Sequence, residues 1–341
     1  MILLANDYSE GACEAVLRHL VETNAETLPG YGEDLYCDRA RDKIRRACQT
    51  PEAEVFFISG GTQANVIVLK ALLGPCEGVI APDTGHISVH EAGTVEAGGH
   101  KVLTLPNCEG KISAADVKRY VEDFYEDRNH SQMVYPAAVY ISYPTEYGTL
   151  YSRKELEALS DVCREKGLFL YLDGARLGYG LAAKQADVTL SDIARFCDLF
   201  YIGGTKTGAL CGEAVVFSKG NAPKHFTTFI RQQGGLLAKG RLLGVQFDAL
   251  FTGDTYVAVC RQAIETADAL KRAFTEKGYA LLMDSPTNQI FVILDNDKYE
   301  RLKKDVVCRY WRKLDENRTV VRFVTSWATS MESIDRIRAL L

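Results

Sequence analysis

Three residues in one stretch of this chain have the types and spacing to do chemistry. The segment LFLYLDGARLGYG holds an apolar run from Leu168 to Leu172 that stops on Asp173, with Arg176 three residues later. A second apolar run, Leu199 to Ile202, stops on Gly203-Gly204 and presents Lys206. Short apolar runs bounded by glycine and a charge read as buried parallel strands. Open α/β sheets bind ligands outside the carboxyl ends of such strands. There a carboxylate can keep a ring nitrogen protonated, a guanidinium can take an anionic substrate, and a lysine amine can attack a carbonyl carbon. Pyridoxal 5'-phosphate (PLP) meets all three demands, with Lys206 in the Schiff base and Asp173 paired to the pyridinium nitrogen. Burial and a cationic neighbour such as Arg176 would lower the amine's pKa.

Other candidates sit at similar places. Glu54-VFFIS reads as a strand and GGTQANVIVLKALL as the helix after it. The glycine turn between them, Gly60-Gly61-Thr62, offers free N–H groups and the positive end of a helix, an anion site. Thr62 can cap that helix and give its hydroxyl to a phosphate. His86 follows Gly85 at another strand-to-helix turn, where a flat ring could cover a flat cofactor. His86 and His90 stand four apart beside Glu91, but Ile87 occupies the place that a metalloprotease helix gives to glutamate. His90 therefore reads as a core or surface imidazole, and no metal site is expected. Glu146, at the tip of the run Ala137 to Ser142, reads either as a proton carrier or as a loop residue.

The elements that must position these groups follow from periodicity. Helical spacing marks residues 10–26, 38–48, 113–125, 153–166, 255–277 and a last helix from Met331. Residues 1–11 read as an irregular arm. The first 240 residues read as this arm plus a large α/β domain with a mainly parallel sheet. Residues 241–341, ending in alternating short strands and helices, read as a smaller α+β domain. With 47% hydrophobic and 25% charged residues, the chain's 341 positions suffice for both. A net charge of -5 argues against a nucleic-acid partner. The start, MILLANDYSEG, has no basic region of a signal peptide, and no window nears the roughly 18 apolar residues of a membrane span. Ten cysteines without a C-x-x-C pair read as reduced thiols, which points to a cytoplasmic protein.

Two look-alike motifs fail. Gly178-Tyr-Gly180-x-x-Ala183 matches a dinucleotide fingerprint, but its strand ends at Leu172 and DGARL intervenes. Gly203-GTKT lacks the G-K-[ST] of a phosphate loop, because Thr205 precedes Lys206. No G-x-S-x-G elbow is present.

Taken in order, GTQAN (61–65), His86 to Glu91-Ala-Gly, DGAR (173–176), Lys206 and VRFVT (321–325) resemble the L-threonine aldolases. These belong to the β-eliminating lyase group of fold-type-I, aspartate aminotransferase-like PLP enzymes. The resemblance runs from the Asn6-Asp7 pair to the last helix. It implies that Gly60, Gly61 and Thr62 hold the PLP phosphate, that His86 stacks on the ring, and that Asp173 keeps the ring nitrogen protonated. It implies an aldimine on Lys206, and Arg176 against the ring oxygen or the substrate carboxylate. Arg322 would bind that carboxylate, with Asn6 helping. Tyr31 and Arg231 would reach a neighbouring subunit's site in a homodimer or homotetramer. The implied activity is retro-aldol cleavage of L-threonine, L-allo-threonine or a related β-hydroxy amino acid to glycine and an aldehyde, with Glu146 or His86 as the base. A PLP-dependent β-eliminating lyase or aminotransferase is the alternative, and a non-catalytic protein that kept the fold a further one. The chain departs from the resemblance at Asn6, where many members have serine, and at P-T-E-Y, where many have N-T-H-N. The second departure puts Glu146 at the substrate's β-hydroxyl.

Overall fold

The computed structural model describes residues 1–341. In chain order its strands are β1 (Ile2–Leu3), β2 (Glu54–Ile58), β3 (Glu77–Pro82), β4 (Lys101–Leu105), β5 (Tyr135–Ser142), β6 (Phe169–Asp173), β7 (Leu199–Gly203), β8 (Glu213–Phe217), β9 (Ala280–Leu281), β10 (Gln289–Asp295), β11 (Val306–Val307), β12 (Arg309–Lys313) and β13 (Arg318–Val324). Seven of them form one sheet in the order β2-β8-β7-β6-β5-β3-β4. Their apolar runs are continuous rather than alternating because both faces are covered. On one face Ile80, Val139, Leu172 and Ile202 join the largest core cluster. On the other, Val79, Tyr140, Tyr171 and Tyr201 pack against helix Gly61–Leu72.

The sheet is mainly parallel, as expected, with one antiparallel strand. β8 runs antiparallel to both β2 and β7. Residues 204–212 are too few for the crossover that a parallel pair needs, which takes about a dozen residues or more. The remaining strands point the same way, so the ends carrying Gly60, His86, Glu146, Asp173 and Lys206 meet at one edge. Glycine is what lets the β6 and β7 ends approach. A Cβ on Gly174 would lie 1.9 Å from the Tyr201 carbonyl oxygen, and one on Gly203 would lie 2.4 Å from that of Ala175.

A second sheet, β12-β13-β10-β9, is antiparallel and is backed by helices Thr255–Glu276 and Met331–Leu340. The N-terminal arm is more ordered than expected: β1 pairs in parallel with β11, and Leu4 is buried in the second sheet's core. The first helix is correspondingly shorter, Glu14–Thr23. Helix Arg241–Leu250 packs on this helix and on helix Leu35–Cys48, beside the large sheet. The glycines of the false dinucleotide fingerprint serve packing, since a Cβ on Gly178 would meet the Cys260 sulfur at 2.6 Å.

Candidate active site

The converging strand ends enclose a cavity of about 400 Å³. Gly60, Gly61, Thr62, His86, Glu146, Asp173, Arg176 and Lys206 all line it. Asp173, the last residue of β6, is buried and accepts four hydrogen bonds. Oδ1 takes the Ala175 N–H (3.0 Å) and the Tyr201 hydroxyl (2.5 Å); Oδ2 takes the Tyr140 hydroxyl (2.5 Å) and the Asn65 amide (3.2 Å). Burial alone would raise its pKa. The charge of His86 and the hydrogen bonds from Tyr140, Tyr201 and Ala175 outweigh burial, so the carboxyl is held below its ordinary value and stays ionised.

Lys206 follows the β7 end. Burial first, then the Arg176 guanidinium, push its amine below the usual lysine range, against the opposing fields of Asp7, Asp173 and Glu213. Arg176 does not stand free in the cavity. Its Nε and Nη2 donate to the two oxygens of fully buried Asp7, at 2.7 and 3.0 Å, and Asn288 gives Asp7 a third bond at 2.9 Å. The N-terminal arm thus carries in an anion that fixes the arginine beside the lysine.

His86 opens the short helix His86–Val89. Its Nδ1 donates to buried Glu91 at 2.7 Å, and Glu91 also accepts from the Asn65 amide at 2.7 Å. Asn65 accepts in turn from the Tyr171 hydroxyl at 2.6 Å. Asp173, Asn65 and Glu91 therefore form one buried polar chain that ends on half-exposed His86 and sets that ring's tautomer and tilt. His90 stacks on His86 with centroids 5.9 Å apart and lines the cavity from an exposed position.

Glu146 is a cavity residue and not merely a loop residue. One oxygen accepts from the His86 N–H (3.0 Å) and the Ser142 hydroxyl (2.7 Å); the other, Oε2, is buried without a partner. Burial raises its pKa, with the hydrogen bond from Ser142 opposing. Glu213, on β8 at the cavity floor, accepts from the Gly204 N–H at 2.9 Å, and burial raises it to about 7.

Four of the sequence candidates do not line this cavity. Arg322 is buried nearby, with Nη1 on Gln289 at 3.2 Å and Nε unpartnered. Asn6 spends its side-chain oxygen on the Tyr8 N–H and the Ser9 hydroxyl. Tyr31 and Arg231 lie together elsewhere, the guanidinium 5.0 Å from the Tyr31 ring centroid, and Tyr31 lines a separate cavity. Thr62 is no cap: the helix begins at Gly61, Gly60 occupies the cap position, and no side chain bonds the first turn. The first backbone bond of that helix is Ala64 N–H to the Gly60 carbonyl, so the preceding N–H groups face the cavity's glycine turn without helical acceptors.

Sequence reasoning missed Asp7, Asn65, Glu213 and the tyrosines 140, 171 and 201. The tyrosines carried a signal. They fall at same-face positions of three neighbouring apolar strands, and a buried tyrosine hydroxyl needs a partner.

This sheet, with an acid and a lysine at its carboxyl edge and a small antiparallel unit beside it, is the fold-type-I architecture of PLP-dependent enzymes. An aspartate aminotransferase from Thermus thermophilus shares the fold at 17% identity, covering 100% of this chain and 92% of that one with a TM-score of 0.72. The beta-eliminating lyase family model matches residues 4–297, and the chain belongs to that family. A threonine aldolase structure from Leishmania major is similar over 100% of this chain and 98% of that one, with 39% identity and a TM-score of 0.96. A low specificity L-threonine aldolase of Pseudomonas aeruginosa is 29% identical over 334 residues, 97% of this chain and 94% of that protein.

Proposed function

We propose that the protein is a PLP-dependent aldolase that cleaves L-threonine, L-allo-threonine or a related β-hydroxy amino acid to glycine and an aldehyde. One observation carries the reading: an ionised Asp173 and a Lys206 amine of lowered pKa line one cavity. The similarity to threonine aldolases supports it.

The donor set fits the cofactor. Gly60, Gly61 and Thr62, before N–H groups that lack helical acceptors, would hold its phosphate. Asp173 would accept from the ring nitrogen; Asn65, at 3.2 Å the longest of its four donors, can yield to it because Glu91 also takes that amide. His86, held by Glu91, would lie against the ring. Lys206 is the amine that would bond the carbonyl carbon. When bound, PLP supplies an electron sink for the pair left by a broken bond to Cα.

The chain's own groups do the rest. Arg322, whose buried Nε lacks a partner, would fix the substrate carboxylate, with Asn6 helping from the arm. Fixing that carboxylate decides which Cα bond stands perpendicular to the ring. Glu146 keeps Oε2 free to accept the β-hydroxyl proton, and its raised pKa brings it nearer to the operating pH of a general base.

Tyr31 and Arg231, exposed and paired away from this chain's own cavity, would complete a neighbouring subunit's site in a homodimer or homotetramer. All ten cysteines are free, which suits a reducing cytoplasm. No helix is long and apolar enough to cross a membrane.

Incubation of the PLP-loaded enzyme with L-threonine and L-allo-threonine tests the reading. Stoichiometric glycine and acetaldehyde are expected. Ammonia and a keto acid would instead favour the β-eliminating reading that the family name also allows, and no cleavage of threonine, allo-threonine or any other β-hydroxy amino acid would refute the aldolase reading.

A further inference from the structure

Beside the site, β12 and β13 hold more positive charge than one substrate carboxylate needs; Gln289, which accepts from Arg322, donates to the carbonyl of cavity-lining Thr145 at 3.1 Å. Arg309 and Arg322 stand directly opposite each other on these antiparallel strands. Side chains so paired share a sheet face with Cβ atoms about 5 Å apart, and like charges there destabilise the sheet. Arg322 is 6% exposed, packs 5.4 Å from the Trp311 ring centroid, and has only Gln289 as a hydrogen-bond partner. Asp7, the carboxylate whose field reaches it, is already gripped by Arg176. Burial, then Arg176, then Arg309 bring the Arg322 guanidinium down to about 9, with Asp7 opposing. Arg309 itself is exposed. Its field reaches His90, which lines the cavity and stacks on His86, and after burial helps to lower that imidazole's pKa. Arg322, whose buried Nε lacks a partner, thus stands one residue behind the cavity lining, with a second arginine opposite it on the strand pair.

We propose that this arginine pair selects a substrate with two anionic groups, the α-carboxylate at Arg322 and a second carboxylate on Cβ at Arg309 beside His90. The substrate class is a β-hydroxy-α-amino dicarboxylic acid, of which 3-hydroxyaspartate is the smallest. The inference rests on the aldolase reading above and names its preferred substrate class. Two carboxylates on neighbouring carbons suit two arginines that face each other across a strand pair, because both anions approach from one side. The reaction balances without a further reagent. The Cα–Cβ bond would break, the β-hydroxyl would give up its proton as the Cβ–O bond becomes a carbonyl, and Cα would take up a proton, leaving glycine and glyoxylate; bound PLP would supply the sink for the electron pair between these steps.

Calorimetric titration of the PLP-loaded enzyme with L-aspartate and with L-alanine tests the subsite apart from turnover, since neither has a β-hydroxyl. Wild-type enzyme is expected to bind aspartate about fivefold more tightly, the size of one partly exposed ion pair. Arg309→Ala should bring that ratio close to one, and Arg309→Lys, which keeps the charge, should retain most of it. In parallel, the ratio of kcat/KM for 3-hydroxyaspartate to that for threonine should fall about fivefold in Arg309→Ala. Equal binding of aspartate and alanine by an enzyme that cleaves threonine overturns the subsite alone. So does an Arg309→Ala enzyme that loses both substrates equally, because Arg309 would then serve the α-carboxylate. A wild-type enzyme that cleaves neither β-hydroxy acid overturns the aldolase reading and this inference together.

Discussion

Asp7→Asn should weaken the fold at neutral pH and lower the Lys206 amine further, through one lost charge. The Asp7 carboxylate is fully buried, and both its oxygens hold Arg176, itself largely buried. Burial would raise the Asp7 pKa; the charges of Arg176 and Lys206 and the hydrogen bonds from Arg176 and Asn288 bring it below its ordinary value. A carboxylate depressed in the folded state stabilises the fold above its unfolded pKa, about 3.9, and that stabilisation is lost as pH falls through its lower folded value. At pH 7 the contribution is therefore present in full. Removing one partner of a buried ion pair costs about 3–5 kcal/mol. Asparagine keeps one acceptor oxygen, so the expected loss is about 2–3 kcal/mol. Urea unfolding of the cofactor-free protein reads it, with the gap between wild type and variant narrowing once the pH falls below about 4. The second readout is chemical. Asp7's charge supports the Lys206 ammonium against burial and Arg176, so the variant's lysine should react with an amine-directed reagent at lower pH. A variant as stable as wild type at pH 7, or one whose lysine titrates higher, would refute the proposed electrostatic link between arm, arginine and lysine.

Glu213 gives the opposite sign. Its carboxyl is raised from 4.5 to about 7, so its protonated form stabilises the fold below about 4.5, and that stabilisation is lost as pH rises through 7. Glu213→Gln should match wild type in urea at pH 4 and exceed it at pH 8 by up to about 3 kcal/mol; a variant less stable at pH 8 would count against a strained buried acid. If sites are shared between subunits as proposed, Arg231→Ala and Lys206→Ala should each be inactive alone, yet activity should return when the two are unfolded, mixed and refolded together, because a hybrid oligomer would contain one intact site. Mixtures that stay inactive would argue that each chain's site is self-contained.

Much of the site was legible because the fold writes it at strand ends. Buried parallel strands are continuous apolar runs, so the residues that end them, Asp173 and the Gly203-Gly204 before Lys206, stand out from the sequence. Helix Arg153–Lys166 was equally plain, with apolar residues on one face and a Ser152–Glu155 capping box. What escaped depended on distance along the chain. Asp7 meets Arg176 across 169 positions, and nothing local to either residue announces the other. Asn65 joins Asp173 to Glu91 in the same way. β8 is one more apolar strand, and its direction follows from the short connection after β7 rather than from its own residues. Thr62 was a plausible cap by type, but the helix starts one residue earlier and leaves its N–H groups to the cavity. Arg322 is proposed from the resemblance, whereas the opposing Arg309 emerges only from the register of β12 on β13.

The most direct test of the central claim is to add PLP to wild-type and Lys206→Ala protein, record the visible spectrum, and then reduce each with borohydride. Wild type should gain a visible band that reduction discharges while fixing the cofactor on the peptide that contains Lys206. Lys206→Ala should fold, lack that band and retain no cofactor after reduction; the same band in the variant, or label fixed on another lysine of the wild type, would contradict the account.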